Sequence, residues 1–341
     1  MIWRSKAPFR LGLAGGGTDL SPYCDLHGGA ILNVTISLYA HSTIELFDSP
    51  KVIFNSIDQN TILEFDAGSV IPLHKGLDLQ IGLYNYLVKN EKIGSQGFRI
   101  TTHMDVPAGS GLGTSSTLMV SMLKVYSELL NIPFGDYDLA HKAYEIERID
   151  LGLAGGRQDQ YAATFGGVNY MEFYKDDKVI VNPLRIKLEY LNELENNIIL
   201  FFTSSSRSSS DIIKEQVKNV SEENTKSIEA MHQLKEQSRM MKEALLKGKL
   251  HEIGEILDFG FQQKKKMAQN ISNSQLDEIY EEAKKAGATG GKISGAGGGG
   301  FMFFYCPGVS KYKVIEKLKR FDGEFRSYQF TPLGARSWKT E

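Results

Sequence analysis

Along the first half of the chain, short β-branched apolar runs dominate, and later stretches space their apolar residues at helical intervals. Within 30–47, Ile31, Val34, Ile36, Ile44 and Leu46 predict two strands, and Phe98-Arg99-Ile100-Thr101-Thr102 predicts another. Residues 117–130 carry Leu118, Val120, Met122, Leu123, Tyr126, Leu129 and Leu130, apolar nearly all round, which predicts a buried helix. A second helix is expected over 138–149, after which Gly152-Leu153-Ala154-Gly155-Gly156 breaks the chain ahead of Arg157-Gln158-Asp159-Gln160. Gly166-Gly167 and a strand over 168–173 close the first half. Beyond the acidic, Asn-rich stretch 189–197 come a strand at 198–203 and helical spacing over 221–249 from Ile228, Met231, Leu234, Met241 and Leu245. A helix at 275–285, a glycine-rich turn at 287–300 and the strand Phe301-Met302-Phe303-Phe304-Tyr305 follow.

The 341 residues favour two domains, expected at 1–188 and 189–341. A hydrophobic fraction of 41% and a charged fraction of 23% describe an ordinary folded chain. The formal charge of -2 is spread without a basic block, which argues against nucleic-acid and anionic-membrane partners and for a small molecule. Cys24 and Cys306 stand far apart without metal-type spacing and read as structural thiols of a reducing compartment. Pro8 and Arg10 interrupt any signal-peptide core, and no run reaches the ~18 apolar residues of a membrane span, so a cytoplasmic location is expected.

Three glycine clusters carry the candidate chemistry, at 12–17, 109–113 and 287–300. Glycine lets backbone N–H groups converge on one point and keeps no side chain between them and a ligand. The middle cluster, Pro107-Ala108-Gly109-Ser110-Gly111-Leu112-Gly113-Thr114-Ser115-Ser116, lies between a strand and a helix, so the helix N-terminus adds its positive dipole end. That suits ATP phosphates, although the same segment could be a tight turn with hydroxyl caps. Thr114, Ser115 and Ser116 could cap the helix or reach a phosphate-bound Mg2+, with Glu147 as a metal carboxylate. Gly295-Ala296-Gly297-Gly298-Gly299-Gly300 fits the G-x-G-x-x-G pattern of dinucleotide binding, but a helix precedes it and a strand follows, the reverse of that motif's order. Asp159, in a turn flanked by Gly and Gln, is the candidate base toward a substrate hydroxyl.

With these pieces assembled, the chain resembles the GHMP kinases. Three motifs match in order: Pro8-Phe9-Arg10-Leu11-Gly12-Leu13-Ala14-Gly15-Gly16-Gly17-Thr18-Asp19, the 107–116 loop, and Lys292-Ile293-Ser294-Gly295-Ala296-Gly297-Gly298-Gly299. The resemblance implies an α+β fold of two domains: an N-terminal mixed sheet with a left-over-right β-α-β phosphate loop, and a C-terminal part of helices plus an antiparallel sheet. It further implies that the 107–116 loop wraps ATP, that Ser115 and Glu147 hold Mg2+, and that Asp159 is the base or orienting carboxylate. Arg10 beside Asp159 would hold that carboxylate ionised at neutral pH. The acceptor site implied comprises Lys6, Arg10, Gly16, Gly17, Thr18, Asp19, Arg157, Asp159, Gly297 and Gly298.

Where galactokinases carry Glu-His in the first motif this chain has Gly16-Gly17, which argues against galactose. Gly-Gly-Gly-Thr-Asp, with Gly-Gly-Arg-Gln-Asp-Gln at 155–160, looks like the heptose branch of the family. That implies D-glycero-D-manno-heptose 7-phosphate as acceptor, phosphorylated at the anomeric hydroxyl, with an L-fucose kinase and a noncatalytic sugar or ATP sensor as the rival readings. A distal phosphate needs cations, and Lys6, Arg157, Arg207 and Lys292 are the basic residues nearest the motifs. The run Lys264-Lys265-Lys266 reads as a solvated helix face, and a homodimer is left open.

Overall fold

A computed structural model describes residues 1–204 and 209–340, so Arg207 lies outside the described residues. The strands, in chain order, are β1 (Ile2–Ala14), β2 (Gly29–Phe47), β3 (Lys51–Ser56), β4 (Thr61–Asp66), β5 (Gly97–Met104), β6 (Val168–Phe173), β7 (Val179–Pro183), β8 (Ile198–Phe202), β9 (Gly290–Ile293), β10 (Phe301–Tyr305), β11 (Glu324–Arg326) and β12 (Arg336–Thr340). The first sheet runs β12-β1-β2-β5-β3-β4, with β6 also paired to β2 and β7 to β6. Among the described residues only β3 and β5 of this sheet run parallel, which makes it mixed. The second sheet, β11-β8-β10-β9, is antiparallel throughout.

The 30–47 stretch forms one strand where two were expected. Its first half pairs with β6 and its second with β5, while β1 runs along the other edge with register shifts between Pro8 and Arg10 and between Gly12 and Ala14. Two partners and two shifts produce the broken hydrophobic rhythm that the sequence shows.

The helix Thr114–Leu129 is buried on nearly every face, as its composition predicts, because the first sheet covers one side and neighbouring helices the other. The helix Asp136–Tyr144 continues into a π-helical turn, Glu145–Asp150, in which Leu151 N donates to Ile146 O five residues back. In that turn Ile146 and its neighbour Glu147 are both buried, and Ile149 is exposed. In the second half, Ser209–Ser221 and Thr225–Lys247 are separate helices, the latter capped by the Asn224 side chain accepting from Ser227 N.

The 188/189 boundary falls at the start of the helix Leu188–Asn197, and β12 returns to the edge of the first sheet beside β1. One buried cluster spans both halves, from Phe9, Leu11 and Met119 to Leu200, Met241, Leu257 and Phe303. Truncating Phe303 would cost about 3–5 kcal/mol on the scale of large core deletions. Cys24 and Cys306 are free and buried. No helix of the described residues is long and apolar enough to cross a membrane.

Candidate active site

The three glycine segments meet in one cleft. β1 ends in the first, β5 leads into the second, and the third links β9 to β10. The second and third segments touch backbone to backbone: a Cβ on Gly111 (φ +85°) would lie 2.5 Å from Ser294 O, and one on Gly295 (φ +72°) 2.7 Å from Gly111 Cα. Phe301 N donates to Ser110 O at 2.8 Å, and Gly111 O accepts from Arg10 Nη1 at 2.7 Å and Ser294 Oγ at 2.9 Å. The loop is thereby fixed by both halves of the chain. Gly113, with φ +80°, is the N-cap of Thr114–Leu129, and no side chain caps that helix. Its first-turn amides remain available to an anion.

Of the residues expected in the ATP loop, Gly109, Gly111, Gly113, Thr114 and Ser115 line the cleft. The remainder shape it from elsewhere. Leu112 is core, Ser110 is buried behind the loop, and Pro107 and Ala108 are exposed at its outer end. Thr114 Oγ1 accepts from Gly109 N at 3.2 Å and closes the loop on itself.

Asp159 sits in the first turn of the helix Gln158–Phe165, where Arg10 Nε donates to its Oδ1 at 2.7 Å. A Cβ on Gly113 would lie 2.8 Å from Asp159 Cγ, so only glycine lets the loop approach that carboxylate. Asp19 supports the same helix: its Oδ2 accepts from Arg157 N at 2.9 Å and Gln158 N at 3.1 Å, satisfying amides at the helix start. Burial pushes the Asp19 carboxyl above its ordinary range, the Gln158 amide pulls it back, and neighbouring Asp159 raises it. Gly156 leaves room for this cap, since a Cβ there would fall 1.9 Å from Asp19 Oδ2.

Glu147 is fully buried in the π turn. Gln160 Nε2 donates to its Oε2 at 2.7 Å, while Oε1 has no hydrogen-bond donor and lies 3.2 Å from Arg148 Nη1. Ser116 connects this group to the loop, its Oγ accepting from Arg148 Nη2 at 2.9 Å and Gln160 Nε2 at 3.1 Å. A buried carboxylate oxygen without a donor, behind a loop hydroxyl, suits a hard divalent cation such as Mg2+. Ser115 faces the cleft and Glu147 lies beneath Arg148. Among the described residues no group of three or more His, Cys, Asp or Glu is placed to hold a metal by itself.

The expected acceptor residues divide. Arg10, Gly16, Gly17, Asp19, Asp159, Lys292 and Gly297 line the cleft, whereas Lys6, Thr18, Arg157 and Gly298 do not. Lys6 stacks its ammonium on Tyr39, 4.4 Å from the ring centre. Thr18 Oγ1 pins the turn by donating to Gly15 O at 2.8 Å. The Arg157 guanidinium pairs with Asp177 at 2.8 Å and donates to Tyr174 O and Ser21 Oγ. Gly298 N donates to Ile271 O at 2.9 Å.

Lys264 corrects the reading of 264–266 as a solvated face. It is 3% exposed, lines the cleft and donates to Gly295 O. The sequence held a signal for it, because Ile253, Ile256, Leu257, Gly260 and Phe261 are buried at helical spacing and Lys264 extends that stripe.

Residues 81–167 match the family model of the GHMP kinases N terminal domain, and residues 241–323 that of the GHMP kinases C terminal domain. The chain is 45% identical to D-glycero-alpha-D-manno-heptose 7-phosphate kinase of Campylobacter jejuni subsp. jejuni serotype O:2, over 98% of both proteins. The crystal structure of a D-glycero-D-manno-heptose 1-phosphate kinase from Bacteriodes thetaiotaomicron matches with a TM-score of 0.85 at 42% identity, over 99% of both chains. Lactococcus lactis galactokinase complexed with galactose shares the fold, with a TM-score of 0.78 at 20% identity over 98% of this chain and 95% of that one.

Proposed function

The chain belongs to the GHMP kinases, and from that premise we propose that it transfers the γ-phosphoryl group of ATP to the anomeric hydroxyl of D-glycero-D-manno-heptose 7-phosphate. The observation that carries this reading is the 2.7 Å pair of Arg10 and Asp159, which stands where the glycine loops converge. The 45% identity to a heptose 7-phosphate kinase supports the choice of acceptor.

Phosphoryl transfer asks the protein mainly to position two reactants and to stabilise spreading charge. The amides around Gly109, Gly111 and Gly113 and the uncapped helix start hold the ATP phosphates. Asp159 accepts the proton of the acceptor hydroxyl, or aligns that hydroxyl, as its oxygen attacks phosphorus and ADP departs. Arg10 fixes the carboxylate and, through Gly111 O, ties its position to that of the loop. Asp19 holds the helix that presents Asp159. Mg2+ held by the Ser115 hydroxyl and the Glu147 carboxylate would neutralise charge on the phosphates.

Asp159→Ala is expected to fold and bind ATP, with some loss of thermal stability because buried Arg10 loses its ion-pair partner, and to lose roughly 10²-fold or more in kcat. Near-normal turnover would remove Asp159 from this role. L-fucose belongs in the same ATP-consumption assay, because turnover of fucose in place of the heptose phosphate would reassign the acceptor. No ATP consumption with either sugar would favour a sensor.

A further inference from the structure

Two lysines in the cleft carry charge that the rest of the site leaves unused. Lys264 ends the helix Ile253–Lys264 and Lys292 lies on β9, and they are 3% and 4% exposed. Lys292 Nζ donates to Gly12 O at 2.9 Å, and Lys264 Nζ to Gly295 O. An ammonium has three donors, so each retains two. The nearby acids already have partners: Asp19 the amides of Arg157 and Gln158, and Asp159 the Arg10 guanidinium. Burial lowers the Lys264 pKa to about 8 and also pushes that of Lys292 well below the usual lysine range, with the neighbouring cations adding to the effect. Asp19 and Asp159 favour the charged Lys264 but do not offset its burial, and no acid acts on Lys292, so the two ammoniums are costly to hold and an arriving anion lowers that cost.

Gly16 shows where the anion would sit. A Cβ there would lie 3.9 Å from Lys264 Nζ and 3.9 Å from Lys292 Nζ, with nothing nearer, so the two nitrogens are at most twice that distance apart. Gly15 and Gly17 have positive φ and their added Cβ atoms would strike Ala30 O and Met267 Cε, whereas Gly16 is not among the positive-φ residues. Backbone conformation therefore does not require glycine at 16. Its bare Cα leaves open the space in front of both ammoniums.

We propose that Lys264 and Lys292 form, across the open position at Gly16, the subsite for the acceptor's own phosphate monoester. The proposal rests on the acceptor reading above. A phosphate dianion matches two ammoniums in charge and offers enough oxygens for their free donors. The other phosphate entering the cleft is that of ATP, which already has the amides of 109–115 and Arg148 beside them. The lysines are tied instead to the first and third glycine segments, through Gly12 and Gly295.

The test compares kcat/KM for D-glycero-D-manno-heptose 7-phosphate with that for D-glycero-D-manno-heptose, in the parent and in Lys264→Met, Lys292→Met and Gly16→Glu. Calorimetric titration of the heptose 7-phosphate without ATP accompanies it. Each variant should lower the ratio of the two kcat/KM values about 10- to 100-fold, the worth of a charge-assisted contact, mostly through KM. The titrated affinity should fall by a similar factor, with Lys264→Arg recovering part of it. If both sugars slow equally, the ratio stays fixed and the titrated affinity is unchanged, the lysines serve the transferring phosphoryl group and the proposal is wrong. A parent enzyme that ignores the heptose 7-phosphate overturns the acceptor reading itself, a distinct failure that takes this proposal with it.

Discussion

Under the proposed function the cleft has a phosphate side, where residues 109–115 offer backbone amides and small hydroxyls from one continuous stretch, and an acceptor side, where Arg10, Asp19, Asp159, Lys264 and Lys292 arrive as side chains from separated stretches. The phosphate side depends on the absence of Cβ atoms, and the acceptor side on the presence of charges. In that reading the first would take a group common to all nucleoside triphosphates, and the second would carry the charge by which one sugar is told from another. Substitutions should therefore fail differently on the two sides.

The largest effect is expected where the sides touch. Gly113→Ala puts a Cβ 2.8 Å from Asp159 Cγ at a positive-φ position, so either the loop or the carboxylate must move. A displacement of about 1 Å of reacting groups costs on the order of 10²-fold, and steady-state kcat should fall by that factor with both reactants saturating. An unchanged kcat would mean that loop and carboxylate are not coupled.

A smaller effect is expected behind the acceptor side. Asp19→Ala removes the acceptor for the Arg157 and Gln158 amides in a buried setting. Urea unfolding should show a loss of about 1–3 kcal/mol, and kcat should fall as the helix start loosens. Lost activity at full stability would instead place Asp19 in direct contact with the acceptor.

The smallest effect has the opposite sign. Burial holds the folded Lys264 pKa near 8, against 10.5 for the unperturbed group, so its charged form destabilises the ligand-free fold. That penalty is fully present below pH 8 and is relieved as pH rises from about 8 toward 10.5, because the unfolded chain then binds more protons than the folded one. Lys264→Met should therefore melt higher than the parent at pH 7, by roughly 1–3 °C, with the gap closing by pH 10. A variant that melts lower at pH 7 would mean the lysine is compensated within the ligand-free protein.

The difference between the two sides also explains what the sequence made legible. The glycine loops announce themselves because their chemistry is local, each held within a dozen or so consecutive residues. Asp159 was visible from its glycine-flanked turn, and its partner Arg10 from the first motif. Lys264 was hidden, since two further lysines follow it and only the buried stripe of its helix separates it from them. Lys6 and Arg157 stood near motifs in sequence yet spend their charges on Tyr39 and Asp177. Nearness along the chain does not say which way a strand or a turn presents a side chain. The same limit applies to the fold. β2 read as two strands because its partner changes midway, and the pairing of β12 with β1 joins segments too remote for any local pattern to reveal.

The central claim is that this cleft moves a phosphoryl group from ATP to an anomeric oxygen. Phosphorus NMR of a reaction containing ATP, Mg2+ and D-glycero-D-manno-heptose 7-phosphate tests it most directly. The account predicts ADP and a new phosphate ester in equal amounts, with the new phosphorus coupled to the anomeric proton and the original ester unchanged. Inorganic phosphate as the only new signal, or an ester at another carbon, would contradict it.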